Sequence, residues 1–460
     1  MKSVGIVITD GVGFRNFILS DFINEINQTF EKVVIFSCLP KHIYEEYNLK
    51  CEIVELDVFN EKFITWFFRK TKEVAHLQLH KNDNFGIQDN LKTNFSLAKT
   101  PRGYATRFIF LFTKWINSEN WIQFFNFCQQ LSFKKSKITR CYENLLINHN
   151  IKSLFFTHQR PPYIAPLIYA AEKNKIVTNA FIFSWDNLAS KGRMAGNFDN
   201  YLVWSKLMKN ELLRFYTKIK PDSIQVVGTP QFEPYVLERY KTTSISFPNF
   251  DVNKKTIFFT CNDSHSKNDI LYLEIIAKFI LNEKLNFQVN LIVRTSPAEE
   301  PDRFFEMKNK YPFIIWDFPK WIQARSNHQE DWSQRIPTVE DVKNLRSCLE
   351  YCDLCVNVLS TITLDASIFN KPVINPVFGN PTNGMFDDQK YLKYEHLDNV
   401  VKTNAVYVVK NEDELLFAIN QALLTPDAKL AQQKALLDLQ IGAPLEGTSK
   451  RIAEVLYQWS

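Results

Sequence analysis

Two residues that could share a proton end β-rich runs far apart in the chain: Asp10, in TDGVGFRN, and His158, in THQRPPY. A carboxylate beside an imidazole can take a proton from a hydroxyl near neutral pH, either as base and orienting partner or with one of them holding the hydroxyl. Gly11, Gly13, Arg15 and Asn16 surround the first residue and Arg160 follows the second, so a bound molecule would meet polar groups on both loops. The plainer alternative is a helix-capping Asp and a loop His. The G-x-G by itself is weak, because it lacks the third Gly and the downstream acid of a dinucleotide fingerprint. A third loop, FSWDNLASKGRM from Phe183, adds Trp185, Asp186, Asn187, Lys191 and Arg193 within a few residues. Trp185 can stack on the face of a sugar ring, Asp186 and Asn187 can bond its hydroxyls, and Lys191 and Arg193 suit acidic or diphosphate groups. Asp186 is also a reserve base. The competing reading has Trp185 plugging an interface and Asp186 capping the next helix.

Phosphate chemistry is suggested by CDLCVNVLSTITLDASIFNKPVINP. An apolar run stops at Ser360, small hydroxyl residues make the turn, and a helix follows until Asn370. Backbone N–H groups and the positive dipole end would meet at Ser360, Thr361 and Thr363, an arrangement that holds a diphosphate without large side chains. Asp365 lies one turn in, where a carboxylate can accept bonds from a ribose diol. An ordinary Ser/Thr cap with a dipole-matched Asp reads equally well.

Elements must bring these groups together. Short β-rich runs alternate with helical patterns almost throughout, the mark of parallel α/β sheets. Strands are expected near 4–8, 32–36, 51–56, 152–157, 176–184, 200–204 and 224–227. After the polar stretch KTTSISFPNFDVNKK, expected to link two domains, they recur near 256–260, 289–293, 313–316, 354–358, 372–375 and 405–409. In a doubly wound sheet the ligand sits where strand order reverses, beside the loops after the first and fourth strands. In the first domain this rule joins Asp10 to His158, with the FSWDNLASKGRM loop at the same edge. In the second it joins STITLD to TCNDSHSKND, offering Asn262, Ser264 and His265 to phosphates, while Lys267 reads as a solvated loop residue. Arg294, ending the next strand, could add a bidentate phosphate contact.

The strand, small turn residues, acid Asp365, then Lys-Pro-Val with Pro372 seven positions beyond the acid resemble the donor site of GT-B glycosyltransferases. The likeness is strongest to bacterial surface-polysaccharide (capsule and O-antigen) transferases and more distant to the MurG type and the UDP-GlcNAc 2-epimerases. The resemblance extends to the domain pattern, the VVGTPQF exit and the closing helix. It implies two tandem Rossmann-like doubly wound α/β domains facing a cleft. Residues 1–236 would bind acceptor and carry a helical insertion at about 57–150, 250–435 would bind a nucleotide-sugar donor, and 436–460 would pack back across both.

The implied activity is transfer of a sugar from a nucleotide sugar to a saccharide or lipid-linked glycan acceptor, inverting, with no metal and no cofactor beyond the substrate itself. Asp10, His158 and Asp186 would be the catalytic candidates. CDP-glycerol-type phosphotransfer and nucleotide-sugar epimerisation share the architecture, and a non-enzymatic nucleotide-binding scaffold would bind without turnover. Many retaining GT-B members place a Glu eight residues before the ribose acid; this chain has Asn357 there, which moves the search for a base to the first domain.

Composition bounds the rest. At 460 residues, 45% hydrophobic and 14% aromatic, the chain suits two well-filled cores. A net charge of +5 and the lack of a recognised motif argue against nucleic acid. Of eight Cys, Cys352 and Cys355 alone make C-x-x-C, and with no second pair they read as buried thiols rather than zinc ligands. No secretion signal or 18-residue apolar run is seen, so a cytoplasmic location is expected. FITWFFRKTK, RFIFLFTKWI, WIQFFNFC and LSFKKSK are aromatic and basic, which leaves open both an ordinary core and peripheral contact with the cytoplasmic face of the inner membrane.

Overall fold

The computed structural model describes residues 2–460 apart from 264, 265, 327 and 329. The chain divides into two compact units: Met1–Glu233 with Ala324–His328 and Gln440–Ser460, and Pro234–Gln323 with Gln329–Leu439.

Unit 1 is built on a seven-stranded parallel sheet: β1 (Ser3–Ile8), β2 (Lys32–Ser37), β3 (Glu52–Glu55), β4 (Ser153–Phe156), β5 (Val177–Phe181), β6 (Asn200–Val203) and β7 (Ile224–Val226). Their order is β3-β2-β1-β4-β5-β6-β7. β1 reads SVGIVI and is buried at every position, as a central parallel strand covered on both faces must be. Its Gly5 is dictated by the neighbours, since a Cβ there would lie 2.6 Å from Leu154 and 2.7 Å from Phe36.

Unit 2 repeats the plan with β8 (Lys255–Thr260), β9 (Val289–Arg294) and β10 (Ile315–Asp317), an antiparallel pair β11 (Trp321–Gln323) and β12 (Arg335–Pro337), then β13 (Leu354–Asn357), β14 (Val373–Pro376) and β15 (Tyr407–Val409). Its six-stranded order is β10-β9-β8-β13-β14-β15. Each of the thirteen runs read as strands holds one. The β11–β12 pair was not foreseen, because three-residue strands carry too little periodicity to read.

In unit 1, α1 (Gly11–Ile18) and α2 (Phe22–Thr29) follow β1. Between β3 and β4 run α3 (Phe63–His80), α4 (Phe85–Thr93), α5 (Pro101–Thr113), α6 (Glu119–Leu131) and α7 (Lys137–Asn148). α3 packs against α4, α5 and α6. α3 and α6 share a core of Ala75, Ile122 and Phe125, flanked by Leu79 and Ile116. A buried lysine ties this layer to the loop beyond β5: Lys72 Nζ donates to Asn126 Oδ1 at 2.8 Å and to the Ala195 carbonyl at 2.9 Å.

The stretch expected as an interdomain connection is instead a strap within unit 2. It lies along the helix Val339–Tyr351, where Ser347 donates to the Ser244 carbonyl and Tyr351 to that of Thr242. Its polar composition disguised it, because the bonds use strap carbonyls, which every residue type has. The closing helix Thr448–Gln458 packs on α2 in unit 1, burying Ile452, Ala453 and Leu456 while Val455 is only half-buried. Glu233 anchors its start by accepting from the Ser449 amide and hydroxyl.

Candidate functional site

The reversal of strand order in unit 1 falls between β1 and β4. β1 delivers Asp10, which caps α1 by accepting from the Gly13 amide at 2.8 Å. The next residue that must be small is Gly13 itself, since a Cβ there would sit 3.0 Å from the Thr157 hydroxyl. β4 delivers His158, whose Nδ1 lies 2.9 Å from Asp10 Oδ2. Asp10 is wholly buried and also accepts from the Thr9 hydroxyl at 2.7 Å. Burial alone would raise its carboxyl pKa, but His158, Gly13 and Thr9 together hold it below the usual value. An ionised carboxylate only accepts, so Nδ1 carries the proton and the Nε2 lone pair is left open.

That nitrogen is buried and meets no protein hydrogen-bond partner. Burial lowers the imidazole pKa more than Asp10 raises it, so the ring is neutral near pH 7 and able to accept a proton. Phe183 stacks flat on it, 3.8 Å between centroids and 12° between planes, fixing the ring plane. Neighbouring polar atoms are equally unsatisfied: Arg15 Nη2, both amide atoms of Asn16 and Arg160 Nε are buried without a hydrogen-bond partner. Buried polar groups normally find partners, so these open donors and acceptors can be completed by a bound ligand or by water. Gly11 is buried in the first turn of α1.

The FSWDNLASKGRM loop behaves differently from expectation at several positions. Arg193 does not reach toward a ligand: it is buried, bonded through both terminal nitrogens to Glu119 of α6 and stacked over Tyr216. Nor is Trp185 a stacking platform, being only 4% exposed. Asn187 is buried between Gln159 and Asp186, and Lys191 pairs with Asp186 at 3.3 Å. Asp186 makes no side-chain capping bond to the short helix that follows. Asn90 of α4 donates to the Ser190 carbonyl, and a Cβ on Gly192 would collide with Glu73 of α3. These residues are gathered chiefly around the helical layer, which they dock to the sheet; Asp186 alone stays electrostatically coupled to His158.

The corresponding reversal in unit 2 lies between β8 and β13. Asn357, fully buried, organises the turn: its Oδ1 accepts from the Ser360 amide at 3.0 Å, the Ser360 hydroxyl at 3.2 Å and the Thr363 hydroxyl at 3.1 Å. The amides of Ser360 and Thr363, expected to face a diphosphate, are thus spent inside the protein, the second on the Ser360 carbonyl at 3.0 Å. Leu359 adopts φ +44°, a left-handed conformation that costs a non-glycine residue roughly 1 kcal/mol or more and concentrates at functional turns. Thr361 and Ser360 remain partly exposed at the start of the helix Ile362–Ile368. Asp365 is buried and receives the Tyr235 hydroxyl on Oδ1.

Asn262 links the two loops, donating to the Val358 carbonyl at 2.7 Å. Ser264 and His265 lie outside the described residues. Arg294 is not available to phosphate: it is buried, its Nη1 bonded to Asp317 and its Nη2 to both oxygens of Asp341 at 2.9 and 2.8 Å. These carboxylates more than offset the burial and keep the guanidinium charged.

Several participants were not singled out in the sequence. Phe183 and Gln159 belong to quoted loops, but their roles need the fold: Gln159 accepts from the Phe183 amide and donates to Asn187. His328, in the segment that joins unit 1 from far along the chain, sits edge-on to Tyr163, whose hydroxyl bonds the Thr9 carbonyl beside Asp10. No local pattern marks it. Cys352 and Cys355 are buried free thiols whose pKa values burial raises, Cys352 to about 12. Among the described residues no group of three or more His, Cys, Asp or Glu is arranged to hold a metal.

No family model matches the sequence, and no curated protein does. Solved structures do. The UDP-GlcNAc 2-epimerase from Methanocaldococcus jannaschii aligns over 99% of this chain and 99% of its own, at 12% identity and a TM-score of 0.55. The UDP-GlcNAc 2-epimerase from Neisseria meningitidis, bound to UDP-GlcNAc, aligns over 100% of both chains at 12% identity and 0.52. A glycosyltransferase from Rickettsia africae ESF-5 aligns over 100% and 98% at 11% identity and 0.50. At these identities the likeness establishes the fold, a GT-B pair of Rossmann-like units.

Proposed function

We propose that the chain is a glycosyltransferase that moves a sugar from a nucleotide sugar to a hydroxyl of a saccharide or lipid-linked acceptor in surface polysaccharide synthesis. The observation that carries this reading is the Asp10–His158 pair, with a neutral imidazole whose Nε2 is buried and unpartnered. In the proposed step the acceptor oxygen attacks the anomeric carbon, its proton passes to His158 Nε2, and the bond to the diphosphate breaks with inversion as the nucleoside diphosphate leaves. Asp10 holds the ring in the competent tautomer and steadies the imidazolium that forms. Arg15, Asn16 and Arg160 are the acceptor-binding candidates, with their buried unsatisfied atoms as support.

For the nucleotide, the candidates are Thr361 at the helix start and Asp365 toward the ribose. Support comes from their position at the second strand reversal and from fold neighbours solved with nucleotide sugar, such as the Neisseria protein with UDP-GlcNAc. Charge on the departing diphosphate is met in this reading by the helix end, and no metal is invoked.

Epimerisation is the second reading, favoured by the UDP-GlcNAc 2-epimerases among the fold neighbours. It needs acid and base groups around the donor sugar, whereas the base invoked here, His158 Nε2, lies at the unit 1 loops. The test is incubation with UDP-, GDP-, CDP- and dTDP-sugars and with CDP-glycerol, with and without saccharide or lipid-linked acceptors, followed by mass analysis. Glycoside plus nucleoside diphosphate supports transfer. An isomeric nucleotide sugar, or CMP with a glycerophosphoryl product, would replace it with the epimerase or phosphotransferase reading.

A further inference from the structure

The helical layer of unit 1 buries one side of each helix and leaves a second apolar side outside. On α5, Ile109, Phe110, Thr106 and Thr113 face inward. Tyr104, Phe108, Leu111 and Phe112, with Trp115 just beyond its end, are spaced at intervals that fall on one stripe, and Phe108, Leu111 and Trp115 are 57%, 62% and 87% exposed. On α6, Ile122, Phe125 and Gln129 face inward. Trp121, Phe124, Phe127 and Leu131 make a second exposed stripe. The two stripes flank the same buried ring: Phe112 and Trp121 both contact Phe125.

Charge decides what covers this surface. Residues 90–142 hold nine Lys and Arg against a single acid, while the whole chain is only +5. That acid, Glu119, is consumed by Arg193. Lys99, Arg102, Lys114, Lys134, Lys135, Lys137 and Arg140 are all exposed. A second copy meeting this face about a twofold axis would oppose cation to cation. An anionic bilayer surface instead takes the aromatic and leucine side chains at its headgroup level and the cations at its phosphates. α5 has 13 residues, about 20 Å, too short to span the hydrocarbon. Among the described residues no helix is long and apolar enough to cross a membrane.

We infer that the exposed face of α5 and α6, from Tyr104 to Leu131, is an interfacial docking surface for an anionic lipid bilayer. The surface is independent of the reaction proposed above, and its test reads lipid binding alone. The full chain is mixed with phosphatidylcholine vesicles with or without phosphatidylglycerol and sedimented at low and high salt. Binding is expected only with phosphatidylglycerol and weakens with salt. The double variant Leu111→Ser, Trp115→Ser and, separately, Lys134→Glu with Lys135→Glu should each lower partitioning by roughly tenfold or more. All the altered side chains are exposed, and unchanged thermal unfolding verifies that the fold is intact. Absence of binding at low salt, or equal binding by both variants, overturns the inference. So does a concentration-dependent dimer that the Leu111/Trp115 variant dissolves without any vesicle binding, which would assign the face to a second copy.

Discussion

Asp10 Oδ2 and His158 Nδ1 lie 2.9 Å apart although 148 residues separate them in the chain. The contact exists because β1 and β4 are adjacent and parallel, with Val7 paired to Phe156, so both strands end at the same edge. In the proposed reaction, replacing His158 by Gln should lower turnover roughly 10²–10⁴-fold, the usual size of a general-base contribution. Nucleotide binding measured by calorimetry should stay unchanged. Asp10→Asn should cause a comparable loss, because the amide can donate to Nδ1 and favour the wrong tautomer. Intact turnover in His158→Gln would remove it as the base.

The pH dependence follows from the direction of the His158 shift. Its folded pKa is depressed by burial, so the neutral, base-competent form persists below the ordinary value of about 6.5. The acid limb of kcat/KM should therefore fall below that value. Asp10 raises the imidazole pKa, and Asp10→Asn should move the limb lower still. A limb above 6.5 in the native protein would mean that another group titrates.

Arg294 should matter for stability rather than for phosphate. Replacing it by Ala leaves Asp317 and Asp341 buried with their cation gone, and breaking such a pair costs about 3–5 kcal/mol. Denaturant unfolding should show that loss. Full stability combined with lost nucleotide affinity would return Arg294 to the binding site.

Asp365 gives the cleanest reading on the nucleotide. If its second oxygen meets the ribose, Asp365→Ala should weaken free nucleotide and nucleotide sugar alike, roughly ten- to a hundredfold for a charged hydrogen bond. Tyr235→Phe, which removes only the bond to Oδ1, should have a smaller effect. Equal affinity for wild type and Asp365→Ala in calorimetry excludes the residue from the site.

The sequence by itself determined the architecture. Buried parallel strands need near-continuous apolar runs such as SVGIVI and KTIFFT, and the helices between them need periodic ones, so two doubly wound sheets were legible from local pattern alone. The reversal rule then joined the loops holding Asp10 and His158, because strand adjacency follows from winding order.

What the tertiary structure decided was the partner of each polar side chain. A cation at the end of a strand looks the same in sequence whether it faces a diphosphate, as expected for Arg294, or a pair of buried carboxylates, as found. Arg193 likewise found Glu119 on α6, and Asn357 turned its carboxamide inward on Ser360 and Thr363. Long-range electrostatic pairing and burial depend on which distant segments the fold brings within a few ångströms. Composition and spacing carry no record of that, so the frame was readable from the chain and the allegiance of its charges was not.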